Sequence, residues 1–90
     1  MKVSDIVTVV AASGEYVGRL LKMDETGVIL ENPKMVTITE DGQMGFTQGI
    51  AATGVDAPSE MVILQAIFVA ETATEVIKAW HSATSGLVMP

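Results

Sequence analysis

Apolar and polar positions alternate through the first two thirds of the chain and adopt a helical spacing only near its end. DIVTVVA, residues 5–11, is β-branched and apolar and reads as a strand, and SGE turns the chain after it. YVGRLLKM, residues 16–23, is a second strand, with Tyr16, Gly18 and Leu20 on one face and Val17, Arg19 and Leu21 on the other. DETG is a turn in which Gly27 can supply a positive φ. VILENPKMVTITE, residues 28–40, is a long third strand, bent or bulged at NPK because Pro33 cannot donate to a ladder. EDG turns again, QMGFTQGI reads as a fourth strand, and GVDAPSE, residues 54–60, as a loop. MVILQAIFVA, residues 61–70, reads as a buried strand or a tightly coupled pair of strands.

The period then changes. ETATEVIKAWHSATSG places Ala73, Val76, Ile77, Trp80 and Ala83 on one face, at the spacing of a helix over about 71–85. Thr72 and Glu75 form a capping box, and Gly86 is a C-terminal stop. About five short strands followed by one helix predict a mainly β fold, a small barrel or strongly bent antiparallel sheet over about 5–70 with a C-terminal α-helix. Gly18 marks a mid-strand bend, since it has no Cβ to meet a crossing strand. Asp24 ends its strand where its carboxylate can accept from the amides of its own turn.

Composition adds an expectation about assembly. Ninety residues make a single domain, and 49% of them are hydrophobic against 18% charged. A domain this small has much surface to cover, so that apolar excess predicts burial against other copies of the chain. The formal charge of −6 opposes tight, indiscriminate binding to nucleic acid or anionic lipid. The absence of cysteine excludes disulfides and thiolate metal sites. Asp5 interrupts the N-terminal stretch that would otherwise resemble a signal peptide. The apolar run 61–70 falls well short of the roughly 20 residues of a spanning helix. The expectation is a cytoplasmic protein that neither enters nor crosses a membrane.

Few residues offer chemistry. Arg19 and Lys22 are two of only five basic residues and could meet phosphate, although strand positions facing water are the simpler account of them. Lys34 reads as a solvated lysine in a bulge. His81, the single histidine, has no acidic or cysteine partner at metal-ligand spacing. Trp80 lies on the apolar stripe with Val76 and Ile77, which is first of all packing, though an indole could also stack a base. The six methionines are dispersed and suit adaptable packing. No phosphate-binding loop, dinucleotide fingerprint, nucleophile elbow or paired-carboxylate motif is present, so no catalytic residue, metal or cofactor is expected.

Gly14, Gly18, Asp24 and the apolar run 28–30 together resemble the first signature motif of the Sm and Sm-like (LSm) proteins, and LENP running into KMVTI resembles the family's third strand. The likeness covers roughly residues 6–38. It implies a strongly bent five-stranded antiparallel barrel, closed with other copies into a homo-oligomeric ring of pentameric to heptameric size. It also implies a non-enzymatic ribonucleoprotein role in which Asp24, Thr26, Gly27 and Gln65 face single-stranded RNA at the pore, with stacking from Tyr16 or Phe46. Gly14, Gly18 and Trp80 would be structural. The chain departs from the pattern at three places. Gly27 stands where the family usually has asparagine, no arginine or glycine occurs between Asp56 and Val69, and the first strand begins within a few residues of Met1, leaving no N-terminal helix. Those departures imply an alternative, a structural ring or protein-assembly adaptor without the RNA pocket.

Overall fold

A computed structural model describes residues 1–47 and 49–85. The elements are β1 (Ile6–Ala11), β2 (Gly14–Asp24), β3 (Gly27–Ile38), β4 (Met44–Phe46), β5 (Glu60–Ile63), β6 (Ala66–Glu71) and α1 (Thr74–Ser85). The strands form a six-stranded antiparallel sheet in the order β4-β3-β2-β1-β6, with β5 also paired to β3. Long β3 therefore carries two partners on one edge, β5 along Val28–Glu31 and β4 along Val36–Ile38. Strands β5 and β6 are joined by Leu64 and Gln65 alone, yet no ladder among the described residues pairs them, so the sheet is not closed.

The bend lies where Gly18 and Pro33 predict it. Along β2 and β3 the register shifts between Val17 and Arg19, leaving Gly18 opposite the extra residue of an Asn32–Pro33 bulge, and shifts back between Leu20 and Lys22. Asn32 takes φ 49°, a left-handed conformation that asparagine tolerates better than most residues. A Cβ on Gly18 would stand 3.0 Å from Leu30 Cβ and 3.1 Å from the Glu31 carbonyl oxygen. Paired bulges of this kind coil a short sheet around its own core. That core is Val7, Val9, Ala11, Tyr16, Leu20, Val28, Leu30 and Ile63, drawn from the inner faces of β1, β2, β3 and β5.

Helix α1 is held differently from the strands. Trp80 is its one fully buried side chain among those described, and it stands outside the main core, beside the bulge. Its indole Nε1–H donates to the Asn32 carbonyl at 2.8 Å, and the Arg19 guanidinium lies 5.3 Å from its ring centroid. A bulge takes backbone groups out of the ladder, and Trp80 pairs one of them. Val76, Ile77 and Ala83 are half-buried on the expected stripe, while Ala73 is exposed.

Three local expectations change, and one choice is settled. The helix starts at Thr74, and Thr72 is no cap: its buried hydroxyl is hydrogen-bonded to Thr8 Oγ1 at 2.8 Å. The fourth strand contracts to Met44–Phe46, which forms a hairpin with the end of β3 along Val36–Ile38. The run 61–70 takes the second of its two expected forms, a coupled pair of strands around a corner, with Ile63 in the core and Val62, Leu64, Ile67 and Phe68 all more than half exposed. The strand count accordingly rises from about five to six. The expected stop at Gly86 lies outside the described residues.

Candidate functional site

The β2–β3 turn and the β5–β6 corner meet at one end of the sheet. In the turn, Asp24 Oδ1 accepts from the Thr26 amide at 2.8 Å and also from the Thr26 hydroxyl. Those two donors, the hydroxyl first, hold the exposed Asp24 carboxyl below its usual range, with Lys22 adding a smaller pull. Lys22 Nζ lies 3.7 Å from Asp24 Oδ2, a solvated pair that contributes little to stability. The aspartate thus caps its own turn, as its position at the strand end predicts.

Gly27 has a steric reason. A Cβ there would lie 2.7 Å from the Ile63 carbonyl oxygen and 3.4 Å from Leu64 Cα, both backbone atoms. The turn is pressed against the corner, and an asparagine in place of Gly27 has no room. The corner itself exposes Leu64 and Gln65. Between turn and corner lies an open cleft of about 370 Å³, lined by Met23, Asp24, Glu25, Leu64, Gln65 and Phe68 among others. Asp24, Gly27 and Gln65 all border it, so three of the four sequence-based site residues converge. Thr26 sits on the other side of the turn, in a smaller hollow with Lys22, Ile29 and Val62.

The expected stacking residues are placed elsewhere. Tyr16 is buried in the core with its hydroxyl 2.7 Å from Ser13 Oγ, and half-buried Phe46 belongs to the β3–β4 hairpin. Trp80 is 1% exposed, which makes it a packing residue. Phe68 is the aromatic that lines the cleft, 54% exposed. It was hidden in sequence because it belongs to a continuous apolar run. Only the interruption at Gln65 hinted that the run turns a corner and shows one face to solvent.

Cations are sparse here. Arg19 is engaged by Glu31 at 3.1 Å, by the Ser4 carbonyl at 3.1 Å and by the Trp80 ring, so it is committed to structure. Asp24 and Glu25 line the cleft, whereas no basic side chain does. Gly14, with φ 155°, starts β2, where an added Cβ would displace the flexible Met35 Cε at 2.8 Å. His81 packs edge-on to the Trp80 ring at 5.1 Å. Among the described residues no group of three or more His, Cys, Asp or Glu side chains could hold a metal ion, and no helix is long and apolar enough to cross a membrane. The arrangement offers an apolar recess with an acidic rim, backbone groups and one carboxamide. No family model matches the chain, and no curated protein matches it.

Proposed function

We propose that this chain is a non-enzymatic Sm-like subunit that assembles head to tail into a homo-oligomeric ring and serves there as a protein-assembly scaffold. The observation that carries this reading is the pair of open sheet edges flanking the β5–β6 corner. The outer edges of β5 and β6 have no partner strand among the described residues, and they bear exposed Val62 and Ile67. Open apolar edges recruit another strand. Two different edges on one subunit make a heterologous contact, which closes into a ring or grows into a fibre. The path β5-β3-β2-β1-β6, with its ends tied through Leu64 and Gln65, supports a strongly bent barrel of the Sm-like kind. The acidic rim favours a protein partner over a polyanion.

Single-stranded RNA is the second reading. Exposed Phe68 beside Gln65 favours it, since a base could stack on one and hydrogen-bond to the other. Light scattering coupled to size exclusion, with and without oligo(U), tests both. The scaffold reading expects an oligomer whose mass and elution do not respond to oligo(U). Co-elution of oligo(U) with the oligomer would replace it with the RNA reading.

A further inference from the structure

We propose that the cleft between the β2–β3 turn and the β5–β6 corner seats a short extended segment of a partner protein in which basic and aliphatic side chains alternate. The inference rests on the scaffold reading and names the chemistry of its partner.

The walls and the rim ask for different things. Met23, Leu64 and Phe68 are 46%, 71% and 54% exposed, and all three line the same cleft. Scattered exposed apolar side chains are ordinary, but three around one recess form a patch that gains by being covered. At about 370 Å³ the recess is at the small end of ligand sites and has room for a few side chains. Its methionine wall can adapt to more than one shape.

The rim then selects the occupant. Asp24 and Glu25 are exposed at the cleft, and Glu25 has no ion pair among the described residues. The one nearby lysine, Lys22, is paired to Asp24 and lines the hollow on the other side of the turn. A phosphodiester strand would bring more negative charge to two carboxylates without a cation to offset it. A purely apolar segment would cover the walls but desolvate the rim uncompensated. An arginine or lysine meets both demands. Its aliphatic stem lies along apolar surface while its charged head reaches a carboxylate, and a guanidinium also stacks on an aromatic ring such as Phe68.

The test uses the full chain and fluorescence anisotropy with three labelled probes. They are a hexapeptide alternating leucine and arginine, its leucine–glutamate counterpart, and an oligo(U) of similar length. The leucine–arginine peptide is expected to bind and to weaken steeply between about 50 mM and about 500 mM salt. The other two probes should not bind. Glu25→Gln leaves the turn's hydrogen bonds intact and should weaken the peptide about fivefold, the equivalent of about 1 kcal/mol for one solvent-screened charge pair. Phe68→Ser should weaken it further. Three results would overturn the proposal: no peptide binding, equal binding of both peptides, or affinity indifferent to Glu25→Gln and Phe68→Ser. Tight oligo(U) binding would do the same. Light scattering on the same samples separates the two levels. An oligomer that ignores the peptide overturns this inference and leaves the ring, whereas a monomer that binds it overturns the ring and leaves the cleft.

Discussion

Two residues at the β2–β3 turn show how much a single position decides. Gly27 looks in sequence like a lost recognition residue, yet its contact with the Ile63 carbonyl gives it a structural reason. Gly27→Asn should therefore destabilise the fold by about 1–3 kcal/mol through overpacking, and should not create affinity for oligo(U). Urea unfolding and an anisotropy titration of the purified variant check both halves. Asp24 makes a prediction about pH. Its carboxyl is held below the ordinary 3.8 by the Thr26 hydroxyl and amide, and Asp41 is lowered chiefly by the Thr39 hydroxyl. A lowered carboxyl contributes stability that is fully present above the unfolded value and is lost as pH falls through the folded one. The loss should thus fall below about pH 4, and the Asp24→Asn, Asp41→Asn double variant should show a flatter acid limb when urea midpoints are followed from about pH 6 to about pH 2. Asp24's place at the end of an apolar strand made its capping role legible. The crowding at Gly27 was not, because the atoms it meets are 36 and 37 positions further along the chain.

At the scale of elements, the bulge and the helix form one unit. Gly18 permits the Asn32–Pro33 bulge, the bulge presents the Asn32 carbonyl, and Trp80 pairs it. Trp80→Ala should cost about 3–5 kcal/mol and release α1, because no other described side chain of the helix is fully buried. Trp80→Phe keeps most of the packing but leaves the carbonyl unpaired, and should cost about 1–3 kcal/mol. Thermal melts followed by far-ultraviolet circular dichroism measure both. The wild-type indole should emit blue-shifted light that resists acrylamide quenching in the absence of RNA, while red, readily quenched emission would overturn its burial. The bend was readable in sequence because Pro33 lacks an N–H and Gly18 lacks a Cβ, which are local facts. So was the stripe containing Trp80. The helix start was misread because Thr72 Oγ1 has a better partner, Thr8, which local pattern cannot reveal. The run 61–70 stayed open between one strand and two for a related reason: an apolar string does not say which of its faces lies over a core and which over solvent.

At the scale of the whole molecule, exposed apolar side chains gather at the β5–β6 corner, where Val62, Leu64, Ile67 and Phe68 are all more than half exposed. Exposed Ile67 is the extra residue of a β6 bulge against β1. Ile67→Lys should change folding stability by no more than about 0.5 kcal/mol, as an exposed substitution away from the core, while a charge on that edge opposes strand addition. Its mass in solution should fall toward that of the monomer with its circular dichroism unchanged. The measurement closest to the central claim is the mass of the wild-type protein itself. Size exclusion with multi-angle light scattering at about ten micromolar should give one species at about five to seven times the 9.5 kDa subunit, the closed ring of a heterologous contact. A single folded species of 9.5 kDa across the micromolar range would contradict it.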